Sequence, residues 1–204
     1  ADANVLLAVD NEHIAACSMK FGDTYMDIDP SAAICCYTEA NRLNPCPDTA
    51  AALAAAYQKR SSAHENAGDW QAALDDAHSA LECTGSSQDF VFFYDMSLRY
   101  CKNGNDHVTA ISMWEVFAEV YSADINKYSA QDQWNSDAAD LHTGYAVELA
   151  SKKDDRCIDE LREAVRLGAD VTEPLATVQA CYGPGMALAN LRLFELELVE
   201  GDAK

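Results

Sequence analysis

The chain has 204 residues and a net charge of -20, from 34 acidic against 14 basic residues. A surface this acidic repels nucleic acid and anionic lipid, so the charge serves solvation or the recognition of a basic partner. Hydrophobic residues make up 49% while glycines number nine and prolines five, which favours a folded, helix-rich chain, and no apolar run is long enough to span a bilayer.

The chain opens Ala1-Asp2-Ala3 with no methionine, the start that cleavage of a signal peptide after a small-residue motif leaves. Residues Asn4 to Phe21 carry Val5, Leu7, Val9, Ile14, Ala15, Cys17 and Met19 and read as a helix that Gly22-Asp23 ends or bends. Asp29-Pro30 starts the next, with Asp29 as cap and Pro30 in the first turn of a helix over Ser31 to Leu43.

The stretch Ala50 to Cys83 reads as two amphipathic helices joined at Ala67-Gly68-Asp69-Trp70. Gly68 ends the first by taking φ > 0, and Asp69 caps the second. Ala56, Ser61 and Ala63 on one helix and Ala73, Ala77 and Ala80 on the other let the pair approach closely, while Tyr57, Trp70, Leu74 and Leu81 fill the gaps. Beyond Gly85, residues Gln88 to Lys102 include Phe90-Val91-Phe92-Phe93-Tyr94, a run that passes for a strand. Flanking helical hairpins and the turn Asn103 to Asp106 favour a helix, followed by another with Ala110, Trp114 and Phe117. Ser122 to Asp132 is an irregular linker. Helices then cover Gln133 to Ser151, Arg156 to Leu167, Pro174 to Cys181 and Met186 to Val199, the last with Leu188, Leu191, Phe194, Leu196 and Leu198.

Tyr57, Ser61, Gly68-Asp69-Trp70, Ala73 and Ala80-Leu81 resemble the tetratricopeptide repeat, a helix–turn–helix unit of about 34 residues. His64 stands where that family has an aromatic residue and Gly85 where it has proline. Ala33, Tyr37, Ala40 and Pro45 resemble a second helix of the same unit, offset by an insertion at Cys46 to Ala51 that lengthens the following helix. The resemblance implies an all-α solenoid of about ten helices, one repeat domain over 1–204. Its hairpins lie near 12–45, 50–83, 88–121 and 133–168, with a C-terminal cap over 173–200.

The same resemblance places a partner in a concave groove lined by the first helix of each hairpin. Carried over, it gives Gln58, Ser62, Glu65 and Asn66, then Asp95, Arg99 and Lys102, then His142. Arg99 and Lys102, three residues apart, share a helix face and form a clamp for a carboxylate, unless neighbouring acids pair with them.

Eight cysteines without a CxxC pair or zinc spacing point to disulfides in an exported protein, periplasmic or secreted. Positions symmetric about hairpin turns suggest Cys46 with Cys83, Cys17 with Cys35 or Cys36, and Cys157 with Cys181. No phosphate loop, dinucleotide motif, zinc protease motif or nucleophile elbow appears, and the histidines lack metal spacing. His64 and His78 are placed to face each other near Asp75. Asp23, Asp27 and Asp29 read as caps and surface charge.

The expected function is therefore a non-enzymatic scaffold, without cofactor or metal, that binds a peptide or protein. Two other readings are a subunit of a larger assembly with an aromatic interface at Phe92 and Tyr94, and a small ligand carrier or enzyme with an acidic pocket between helices.

Overall fold

The computed structural model describes residues 3–103 and 106–182, with side chains from residue 10 onward. The chain is all-α. Ten helices and no strand occur among the described residues: α1 (Ala3–Tyr25), α2 (Pro30–Leu43), α3 (Pro47–Ala67), α4 (Trp70–Thr84), α5 (Ser87–Lys102), α6 (His107–Val120), α7 (Ser122–Lys127), α8 (Gln131–Ser151), α9 (Cys157–Arg166) and α10 (Thr172–Tyr182). The expected total of about ten is met by exchange. α7 forms inside the stretch read as a linker, whereas the expected helix Met186 to Val199, the main part of the cap, lies outside the described residues. The chain, read as one domain, divides into two compact units, Ala1–Tyr100 and Cys101–Lys204.

In the first unit the helix ends follow the capping residues. Asp29 Oδ1 accepts from the backbone N–H groups of Ser31 (3.0 Å) and Ala32 (3.1 Å), and Pro30 opens α2. Gly68 takes φ 80° at the end of α3, and the next N–H, of Asp69, reaches back to the carbonyl of His64 at 2.9 Å. Asp69 Oδ1 then accepts from Ala72 N at 3.3 Å to start α4. Of residues 46–51, all but Cys46 belong to α3, which begins at Pro47.

Small residues set the α3–α4 contact. Ala56, Ser61, Ala73, Ala77 and Ala80 are fully buried, and the Ser61 hydroxyl donates to the Ala73 carbonyl at 2.6 Å. Ala63, expected in that seam, is exposed. Leu74 and Leu81 are buried, each contributing about 1.5–3 kcal/mol by leaving water. Ala33, Ile34, Tyr37, Leu53 and Ala56 join α2 and α3 in one cluster, with Tyr57 and Cys83 packed against it. Arg60 grips Asp76 across the hairpin with two hydrogen bonds of 2.7 Å.

Two readings of this unit are corrected. Gly22 does not end α1, which continues to Tyr25; Gly22 is buried, and a β-carbon there would meet the ring of Tyr37. His64 and His78 do not face each other. His64 lies 3.8 Å from Asp76 and 3.9 Å from Asp69, and His78 packs on the ring of Phe93 at 5.3 Å. The aromatic run is helical, with Phe90, Phe93 and Tyr94 buried.

In the second unit Asp106 caps α6 by accepting from Thr109 N at 2.8 Å. Trp114 of α6 stacks on Trp134 of α8, with centroids 3.9 Å apart and planes 12° from parallel. α8, α9 and α10 share a core of Ala139, Ala146, Leu149, Ile158, Leu161 and Val178. Gly168, at φ 97°, ends α9 as its position after Leu167 predicts.

The expected disulfides are absent. Cys17, Cys35, Cys36, Cys46, Cys83, Cys157 and Cys181 are all outside any bridge. Symmetry about a turn brings helices together without aiming their sulfurs at each other. Cys157 is buried and its Sγ lies 3.4 Å from Tyr182 Oη, while the Sγ of Cys46 lies 3.5 Å from Thr49 Oγ1.

Candidate functional site

Among the described residues, each unit has a large cleft. In the first, α3 presents Ala50, Ala51, Ala54, Ala55 and Gln58 at a helical spacing of one, three and four residues. These small side chains form the floor of a cleft of about 750 Å³. Pro45, Cys46 and Pro47 form one end, and Cys83 to Asp89 the opposite wall. Asp89 is the one carboxylate in the lining, and it is buried and saturated. Its Oδ1 accepts from Gln58 Nε2 at 2.5 Å, and its Oδ2 accepts from the hydroxyls of Ser86 (2.6 Å) and Thr84. Ser86 Oγ in turn accepts from Asp89 N at 3.1 Å, closing a reciprocal cap on α5. The oxygens of the cleft's one carboxylate are therefore already taken up by neutral donors from the cleft walls.

Two thiols line this cleft and differ. Cys46, at the N-terminal end of α3, has its pKa lowered chiefly by its hydrogen bond with Thr49, whereas burial pushes the Cys83 thiol up.

The groove residues carried over from the repeat are partly brought together. Gln58 on α3 reaches Asp89 on α5, and Glu65 on α3 holds Arg99 on α5 at 3.0 Å. α3 and α5 are thus linked twice, and Arg99 is paired with an acid rather than open for a carboxylate. Ser62 Oγ donates to the Gln58 carbonyl at 3.1 Å, within the helix. Asn66 and Asp95 are exposed. Lys102, in the second unit, lines a small cavity of about 190 Å³ with His107, Ala110, Asp140 and Leu141. His142 is buried between α8 and α9, with Nδ1 2.7 Å from Glu160 Oε2.

Another part of α8, made of Asp132, Asn135, Ser136, Ala139, Asp140 and Thr143, lines a cleft of about 860 Å³. The far wall comes from Leu167 to Ala176, where Asp170 and Glu173 add two more carboxylates. Hydrogen bonds from the Thr172 hydroxyl and N–H hold the Asp170 carboxyl below the usual range. The spacing of 132, 135, 136, 139, 140 and 143 is that of a single helix face.

No group of three or more histidines, cysteines or acids is arranged to hold a metal among the described residues, and no helix there is long and apolar enough to cross a membrane. Compared with known proteins, the chain matches no family model, no curated protein and no solved structure.

Proposed function

We propose that the protein is a non-enzymatic scaffold, similar to tetratricopeptide repeats, that holds a segment of a peptide or protein partner on α3. The observation that carries this reading is the alanine-floored cleft of the first unit. It is roomy at about 750 Å³, and its buried carboxylate is already engaged by Gln58, Thr84 and Ser86. A floor of this kind lets another backbone approach closely, while Asn41 and Gln88 on its rim supply amide donors and acceptors.

The test is Ala51→Arg with Ala55→Arg, two exposed floor positions where a long side chain fills the cleft without entering the core. The reading expects a partner captured from native extract by the wild-type chain to be lost by this variant at unchanged melting temperature. A partner retained at equal affinity would remove the cleft from the function.

A subunit of a larger assembly is the second reading, favoured by one observation. Ile14, Phe21, Tyr25 and Ile28 follow one face of α1 and its exit turn and are exposed, Ile28 to 78%. The aromatic pair first expected at such an interface does not serve, because Tyr94 is buried. Sedimentation of the chain with Phe21→Glu separates the two readings: a wild-type oligomer that this change dissolves favours the assembly.

A further inference from the structure

We infer that the cleft of the second unit is a docking site for a short, extended, cationic polypeptide segment. The inference deepens the scaffold reading, on which it rests, by naming the partner chemistry of a second site.

Asp132, Asn135, Ser136, Asp140 and Thr143 of α8 form one wall of the 860 Å³ cleft, with Ala139 of the same face buried in the core shared with α9 and α10. The exposed carboxylates stand on both walls, Asp132 and Asp140 on α8 and Asp170 and Glu173 on the other side, and no lysine, arginine or histidine is in the lining. Elsewhere in the described residues arginines are matched with acids: Arg42 with Glu39, Arg60 with Asp76, Arg99 with Glu65, Arg156 with Asp154 and Arg166 with Glu163. Here four carboxylates share one lining with no basic residue among them. Leu167 and Pro174 on the far wall add apolar surface to the lining. Lysine and arginine have the complementary build, an aliphatic stem for that surface and a charged head for the carboxylates. The cleft runs along α8 for about 16 Å, the length of about five extended residues.

The probe is a dye-labelled peptide Lys-Gly-Lys-Gly-Lys, read by fluorescence anisotropy on the full chain, with Glu-Gly-Glu-Gly-Glu as its counterpart. A chain of this net charge attracts any polycation, so the decisive comparison is between two double charge reversals of equal size. Asp132→Lys with Asp140→Lys is expected to weaken the lysine peptide about tenfold or more, and Glu115→Lys with Glu119→Lys, exposed on α6, to change it by less than about twofold. Raising salt from about 50 to about 300 mM should weaken the wild type and leave the cleft variant nearly flat. Equal losses in the two variants, or no saturable binding, would overturn the inference. Ala51→Arg with Ala55→Arg should bind the probe as the wild type does. Loss of the probe together with an intact partner complex sinks this site alone; loss of the partner reading with an intact probe sinks the other.

Discussion

Gly22 lies directly beneath the ring of Tyr37: a β-carbon built on the glycine would stand 2.4 Å from Tyr37 Cε1 and 2.7 Å from Cδ1 and Cζ. The ring is buried between α1 and α2, and its hydroxyl donates to Asp23 at 2.8 Å. By helix propensity alone, Gly22→Ala stabilises α1 by about 1 kcal/mol. Here the overlap with a rigid ring wins, and the variant is expected to lose about 1–3 kcal/mol in chemical denaturation. Tyr37→Leu in the same chain should recover part of that loss by removing the ring edge. A Gly22→Ala chain more stable than wild type would show that the two helices do not approach this closely.

The Arg60–Asp76 pair decides whether the central hairpin depends on charge or on packing. Asp76 is buried and Arg60 mostly so. Asp76→Ala strands a guanidinium in that setting and is expected to cost about 2–4 kcal/mol. Replacing both, Arg60→Met with Asp76→Leu, is expected to cost less than the single change, because no unpaired charge remains. Urea denaturation of the three chains measures the difference. A double variant as unstable as the single one would mean that the pair contributes more than it costs to desolvate.

Much of this architecture is legible in the residues, because the signals are local. Asp29-Pro30 and Gly68-Asp69 have one meaning each, a cap and a left-handed turn, and both form as read. The helix through Phe90 to Tyr94 was inferred from its neighbours against a strand-like composition. The same letter misled at Gly22, since a glycine that breaks a helix and one that admits a neighbouring ring look alike until the neighbour is known. Contacts between helices are less legible. Gln58 is a groove candidate in the sequence, but its contact with Asp89 is not legible there, because it joins residues 31 apart. His142 is buried against Glu160, a contact 18 residues apart that no local signal gives. Sulfur pairing was beyond reach for a related reason: hairpin symmetry relates helices, whereas a bridge needs two side chains pointing at each other.

The thiols provide a chemical test of that last point. Cys17, Cys35, Cys36, Cys46, Cys83, Cys157 and Cys181 should all be alkylated after denaturation without reductant. Labelling of only one or two would restore the bridges. In the folded chain the two cleft thiols should separate with pH. The lowered pKa of Cys46 gives it more thiolate near neutrality, so its alkylation should reach half its maximal rate at lower pH than an ordinary thiol. Burial raises Cys83, whose curve should move the other way. Thr49→Val removes the hydroxyl beside Cys46 and should shift that curve back up, as peptide mapping across a pH series will record.

A glycine within α8 poses the same problem as Gly22 with a different neighbour. A β-carbon at Gly144 would lie 2.9 Å from His107 Nε2. That imidazole is fixed from the other side, with Nδ1 2.6 Å from Glu148 Oε2 and its ring stacked 6.0 Å from Tyr145. Glu148 also takes Lys152, and these two partners hold its carboxyl below the usual range. His107 therefore has little freedom to retreat, and Gly144→Ala should destabilise the chain despite the better helix former. In a His107→Ala background the obstacle is gone, and the same substitution should instead stabilise by about 0.5–1 kcal/mol. The reversal of sign is the signature, because a generic effect of alanine in α8 would be equal in both backgrounds. Equal effects in the two denaturation series would mean that His107 does not rest on Gly144.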